Sequence, residues 1–147
     1  MRLTMYTDFS LRVLIYLGTK GFGEKATVQE ISSTYGISKN HLTKVAHELG
    51  KMGLIETIRG RGGGIRLKVA PELISVGELV RKTEDDFHIV ECFNSESNSC
   101  ILSPACRLKD ALREALAAYL TVLDGYTIAD FIVNKDELTE ILFGKPL

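Results

Sequence analysis

The chain has 147 residues, 45% of them hydrophobic and 25% charged, with a formal net charge of −1. That length suits one main domain with its own core plus an appendage, and the balance is that of an ordinary globular protein. Global charge therefore announces no nucleic-acid partner, and no apolar run is long enough to span a bilayer.

Thr7-Asp8-Phe9 opens the first predicted helix, with Thr7 as N-cap and Asp8 suited to the positive end of the helix dipole. Phe9, Val13, Tyr16 and Leu17 fall on one face, and Leu11, Leu14 and Ile15 broaden it, so this helix is expected to be largely buried. It ends at Gly21-Phe22-Gly23. The N-terminal stretch lacks a continuous apolar core followed by a small-residue cleavage site, which predicts no signal peptide. Thr27-Val28-Gln29-Glu30 is a capping box that starts a second helix. Gly36 interrupts it, and Ser38 caps a third helix running to about Lys51. A helix-turn-helix needs a small residue where its helices cross, a glycine in the turn and apolar residues between the pair. Ser32, Gly36 and the set Ile31, Ile37, Leu42 and Val45 meet those needs in one register.

Leu54 to Ile58 and Ile65 to Val69 are β-rich and flank Arg59-Gly60-Arg61-Gly62-Gly63-Gly64, which predicts a hairpin with a glycine-rich tip. A nucleotide-binding loop would run from strand into helix and end in Lys-Ser/Thr; this run leads into a strand and lacks that ending. The hairpin therefore reads as the wing of a winged helix. Between Lys39 and Lys68 lie seven basic residues and two acidic ones, a local balance of +5 that leaves −6 for the rest of the chain. Such asymmetry is what a DNA-facing surface on a neutral protein needs. No Ser/His/Asp set or carboxylate pair with catalytic spacing stands out, so no enzyme is expected.

Pro71 breaks the strand, and Ser75-Val76-Gly77-Glu78 caps a short helix to about Thr83. From Glu84 to Pro104 periodicity vanishes, and the stretch is acidic with no Lys or Arg. A long helix follows, where Leu108, Leu112, Ala115, Leu116, Tyr119, Leu120 and Leu123 form one apolar stripe ended by Gly125. A stripe of that length suits a face shared with a partner. Asn134 to Phe143 reads as a terminal helix with an Asn134/Glu137 cap.

Cys92, Cys100 and Cys106 are the only cysteines, with seven residues between the first two and five between the second two. A cytoplasmic location keeps thiols reduced, and an odd count argues against a disulfide framework. Three buried core thiols are one reading, which the polar loop weakens. Zinc prefers C-x-x-C pairs, absent here, and a thiol switch needs only one or two cysteines. An iron–sulfur cluster accepts irregular loop spacings but wants a fourth ligand. His88 lies close to Cys92, whereas His41 and His47 fall in the recognition helix. Asp8, read by itself, is a first-turn acid that stabilises the dipole.

Met1-Arg2-Leu3-Thr4, the Ile37-Ser38 turn, Arg59-Gly60-x-Gly62-Gly63-Gly64 and the three-cysteine loop together resemble the iron–sulfur winged-helix transcription regulators over nearly the whole chain. The resemblance implies a homodimer joined through the long helix after Cys106. In the branch that regulates cluster assembly, a histidine ligand lies three residues after the last cysteine; Lys109 stands there instead. The nitric-oxide-sensing repressors are the more similar branch, because they share Asp8. That similarity implies one [4Fe–4S] cluster per subunit, held by Cys92, Cys100 and Cys106 with Asp8 of the partner subunit, and with Arg12 one turn away supporting the site.

The expectation is thus a mostly α fold with a small β wing: an α+β winged helix-turn-helix with a long C-terminal dimerisation helix. Residues 1–83 form the DNA-binding head, 84–124 the cysteine loop and dimerisation helix, and 125–147 a helical tail. The dimer would present two recognition helices about 34 Å apart to a pseudo-palindromic double-stranded DNA operator. Ser38, Lys39, Asn40, Thr43 and Lys44 would face the major groove, and Arg59 and Arg61, with Gly62 and Gly63, the minor groove. Nitric oxide would nitrosylate the cluster and release the repressor from genes of nitric-oxide detoxification and nitrite respiration. The rivals are a regulator of cluster assembly, a zinc- or thiol-based repressor and an electron-transfer protein.

Overall fold

A computed structural model of the chain describes residues 1–144, and it is organised around a first helix, α1 (Met5–Lys20), whose inward face is shut off from solvent. Leu14 and Leu17 are fully buried there. Burial of each such side chain stabilises the fold by roughly 1.5–3 kcal/mol. α1 starts earlier than expected. Thr4 is the N-cap and its side chain accepts from the Thr7 backbone N–H, whereas Thr7 is fully buried inside the first turn. Its hydroxyl is committed to Thr83 and Glu84, more than seventy positions away, and so does not cap the helix.

α2 (Val28–Tyr35) begins with the expected capping box between Thr27 and Glu30, and the backbone bond from Thr27 holds the Glu30 carboxyl below its usual range. Gly36 ends α2 in the left-handed region at φ 65°, which glycine adopts without steric cost. α3 (Lys39–Lys51) follows with Ser38 at the N-cap position, although its side chain makes no capping bond. Strands β1 (Ile55–Ile58) and β2 (Gly64–Leu67) pair antiparallel, Ile55 opposite Leu67 and Ile58 opposite Gly64. Ala26 adds a bridge to Ile65 on the outer side of β2.

After a 3-10 turn at Pro71–Leu73, α4 (Val76–Thr83) is capped by Ser75, which accepts from the Glu78 N–H. The aperiodic stretch is a loop with two short 3-10 turns, Glu91–Phe93 and Ser103–Ala105. It leads into α5 (Arg107–Asp124), and α6 (Lys135–Phe143) closes the described chain. Asn134 precedes α6 but does not cap its backbone; its amide donates to Glu137 at 2.9 Å.

Two features fasten α5 to the head. Arg81 of α4 makes a bidentate pair with Asp124, one arm at 2.9 Å, and the guanidinium holds that carboxyl below its usual range. Gly77 allows the approach: a Cβ there would lie 2.9 Å from the Asp124 backbone nitrogen. The segment after α5 then returns to the head. Val76 N–H donates to Tyr126 O and Ile128 N–H to Ile74 O, both at 3.0 Å, and Ile128 is fully buried in the shared core. Of the predicted tail, residues 145–147 lie outside the described residues. Among the described residues no helix is long and apolar enough to cross a membrane.

Candidate nucleic-acid interface and metal centre

The reading head is built from α2, α3 and the wing. Leu42, Val45, Ala46 and Leu49 turn inward from α3 against Ile31 and the core, which leaves the opposite face to solvent. Ser38, Lys39, Asn40, Thr43 and Lys44 all lie on that exposed side. The α2–α3 angle is set by Ser32, whose hydroxyl donates to Ile37 O at 2.6 Å while Ile37 N–H donates back to Ser32 O at 3.2 Å. A small polar residue at the crossing thus does more than make room: it closes the turn.

The wing tip demands glycine. A Cβ on Gly63 would meet Ile58 O at 2.3 Å, and one on Gly64 would meet Ala26 O at 2.7 Å. Both obstacles are backbone atoms of the hairpin or its bridge and cannot step aside. Arg59 and Arg61 are exposed at the tip, and among the described residues neither has an ion-pair partner. Arg66 and Lys51, by contrast, are taken by Glu56 at 2.7 Å and Glu48 at 3.0 Å. The free cations of the basic stretch are therefore Lys39, Lys44, Arg59, Arg61 and Lys68, all exposed. That is the pattern of a surface ready to neutralise phosphates.

The three thiols are free and half-buried. Cys92 sits within the 3-10 turn Glu91–Phe93, and Cys106 occupies the N-cap position of α5. Cys100 is held by an Asn98 clamp: its N–H donates to Asn98 Oδ1 at 3.1 Å, and Asn98 Nδ2 donates to Ser103 Oγ at 2.8 Å. The loop collects the cysteines without bringing them to one point. Among the described residues, no three His, Cys, Asp or Glu side chains converge as a metal-holding group within a single chain. In donor chemistry the set fits a soft metal centre: three thiols outside any disulfide, in a loop without a competing cation. Its geometry requires the loop to close and a donor to come from elsewhere.

Of the two candidate fourth donors, His88 lies 3.7 Å from Asp86 and lines an open cleft with Arg2, Glu84 and Tyr119. Asp8 pairs with Arg12 one turn along, at 2.8 Å, and both side chains are more than two-fifths exposed. The Arg12 guanidinium also lies 5.9 Å from the ring centres of Phe9 and Tyr35. Tyr35 donates its hydroxyl to Arg12 O at 2.9 Å, and burial pushes that hydroxyl's pKa up to about 12. Phe9 in turn faces His41 of α3, ring centres 6.2 Å apart. Asp8 is thereby connected to the recognition helix through side chains in contact.

Glu84 is a residue whose role composition and spacing do not reveal. It opens the cysteine loop, and its carboxylate accepts from Thr4 N–H at 2.8 Å, Thr4 Oγ1 at 2.9 Å and Thr7 Oγ1 at 2.5 Å. The buried Thr7 hydroxyl shares its proton with Thr83 Oγ1 at 2.8 Å. This clasp ties the root of the loop to the first turn of the helix that carries Asp8. Its only sequence trace is an acid among other acids.

The model of the Rrf2 family, described as iron-dependent transcriptional regulators, matches residues 3–134. The chain belongs to the Rrf2 family. It is 61% identical over 142 residues to the HTH-type transcriptional regulator NsrR of Bacillus licheniformis, covering 97% of this chain and 99% of that one. It is 58% identical to NsrR of Bacillus subtilis over 97% of each chain. Among solved structures, the oxidised form of CymR from Staphylococcus aureus is similar at TM-score 0.70 and 26% identity, covering 87% of this chain and 93% of that one. IscR of T. potens shares the fold at TM-score 0.70 and 22% identity, covering 94% and 90%. The chain is accordingly a DNA-binding transcription regulator of winged-helix α+β fold, and its relatives are regulators, not enzymes.

Proposed function

We propose that this regulator is a homodimeric, cytoplasmic repressor that responds to nitric oxide through one [4Fe–4S] cluster per subunit. Cys92, Cys100 and Cys106 would hold the cluster, with Asp8 of the partner subunit as the fourth donor. The observation that carries the reading is the placement of three free thiols in a loop clasped by Glu84 to the start of the Asp8 helix. The similarity to proteins named NsrR supports it. When bound, the cluster supplies iron that nitric oxide attacks.

Everything else falls to the chain's own residues. α5 supplies the dimer contact: none of its residues is buried in the single chain, and Leu108 is 65% exposed despite its place in the apolar stripe. Leu120 and Leu123 lean on the chain's own core, whereas Leu108 and Ala115 are exposed and Leu112, Leu116 and Tyr119 only half-buried, an apolar patch that a second copy would cover. In the free chain Asp8 rests on Arg12. Turning Asp8 towards the partner's loop frees the guanidinium, which borders Phe9 and Tyr35, and Phe9 borders His41 of the recognition helix. Two arrangements of Arg12 thus amount to two settings of α3, the kind of two-state element a ligand biases. Ser38, Lys39, Asn40, Thr43 and Lys44 read the major groove, and Arg59 and Arg61 reach the minor groove on a tip shaped by Gly62 and Gly63.

Anaerobic purification with iron, sulfide and zinc analysis tests this reading, followed by a nitric-oxide titration of the DNA complex monitored by fluorescence anisotropy. Four irons and four sulfides per chain, with DNA released as nitric oxide is added, are expected. Zinc without sulfide, or a DNA complex indifferent to nitric oxide, overturns it.

A further inference from the structure

We propose that Lys25 is a positioning residue for the DNA-reading wing: its ammonium holds the tip of the hairpin to the entrance of α2 by donating to Gly62 O. The inference rests on the reading of the wing as a DNA contact. Lys25 Nζ reaches that carbonyl across 37 positions of sequence. Lys25 is exposed and, among the described residues, has no carboxylate partner. Its neighbour Ala26 is 1% exposed and clamped to β2 in both directions, donating to Ile65 O at 2.9 Å and accepting from Ile65 N–H at 2.8 Å. Lys25 therefore springs from a fixed point.

The tip itself needs such a tether. The β pairing ends at Ile58 opposite Gly64, so residues 59–63 lie beyond the ladder. Within them the cross-link is a turn bond from Gly63 N–H to Gly60 O at 3.1 Å. Gly60 and Gly62 stand at φ 90° and 65°, where glycine has wide freedom and little to hold it. Gly62 directly follows Arg61, so a fixed Gly62 carbonyl limits the directions Arg61 can take. Fixing the tip before DNA arrives removes an ordering cost from binding. The capped start of α2 and the wing then meet DNA as one rigid surface, with Thr27 closing the capping box two residues beyond Lys25.

A lysine at this place has a rival use, a phosphate contact of its own, and the two predict different couplings. The test uses the full-length holo dimer and a duplex selected by the wild-type protein from a random pool. Lys25→Ala, Lys25→Arg, Arg61→Ala and the Lys25→Ala/Arg61→Ala double variant are titrated by anisotropy at several salt concentrations. Arg61→Ala is expected to weaken binding about tenfold and Lys25→Ala about fivefold. The double variant should be no weaker than about tenfold, because Lys25 acts through Arg61. Lys25→Arg, which keeps a donor, should recover affinity to within about twofold. In the DNA-free protein, amide exchange at Gly62 to Gly64 should quicken in Lys25→Ala and return in Lys25→Arg. Losses that multiply to about fiftyfold, with a salt slope lower by about one in Lys25→Ala, make Lys25 an independent phosphate contact and overturn the proposal. A weakened Arg61→Ala beside an unaltered Lys25→Ala overturns it as well. Normal binding by Arg61→Ala sinks the reading of the wing first, and the tether's role with it.

Discussion

Replacing Glu84 by alanine removes the acceptor for three donors at once, at 2.8, 2.9 and 2.5 Å. Those donors are not equally harmed. Thr7 is fully buried but keeps Thr83 Oγ1 as an alternative acceptor at 2.8 Å. Thr4 is half-exposed, so water replaces its lost bonds. The expected cost is therefore about 1–3 kcal/mol, the range for unpairing one partly buried group, and not three charge-assisted bonds added together. For a domain of this size that lowers the melting temperature by about 2–12 °C. Glu84→Gln retains an acceptor without the charge and should fall between alanine and wild type. The assay is thermal unfolding of the cluster-free protein followed by circular dichroism, at fixed protein concentration because dimerisation shifts the midpoint. A melting temperature for Glu84→Ala within about 1 °C of wild type would refute the idea that this carboxylate clasps the loop to α1.

Four further outcomes are expected. Asp8→Ala should keep iron on the three cysteines but change the visible absorption spectrum, and His88→Ala should leave it alone; the reverse pattern exchanges the ligand assignments. Gly63→Ala forces a Cβ to within 2.3 Å of Ile58 O, so DNA affinity should drop at least about tenfold while the core costs no more than about 1–3 kcal/mol, checked by anisotropy and melting together. Ala115→Asp puts a charge on the α5 stripe where the single chain leaves it exposed; sedimentation should show monomers, and an intact dimer at micromolar concentration would place the interface elsewhere. Glu30 has a folded-state pKa below its usual 4.5 because it accepts from the Thr27 backbone. Its contribution is therefore present above pH 4.5 and lost as pH falls through and below that value. Glu30→Gln should flatten the acid limb of the melting temperature against pH, and an unchanged limb would dismiss the capping carboxylate as its source.

Local chemistry made much of this protein legible in the sequence. The Thr27/Glu30 box, the Gly36 turn, the paired β segments and the end of α5 at Gly125 depend on neighbours within a few residues, and each lies where periodicity and capping place it. The free cations on one face of α3 and on the wing follow from the same local pattern, since helical periodicity separates Leu42, Val45 and Leu49 from Lys39, Asn40, Thr43 and Lys44. Thr7 shows where local reasoning fails. It has the chemistry of an N-cap, yet its hydroxyl serves Thr83 and Glu84, more than seventy positions away, and Thr4 takes the cap. Only the tertiary structure decided that, because a hydroxyl's bonding is set by which acceptor the fold delivers, and burial makes an unmet one costly. The same holds for Lys25 on Gly62, for Arg81 on Asp124 and for the line from Asp8 through Arg12 and Phe9 to His41. Spacing along the chain carries the elements and the donor types; the packing of α1 against α3, α4 and the loop carries their connections.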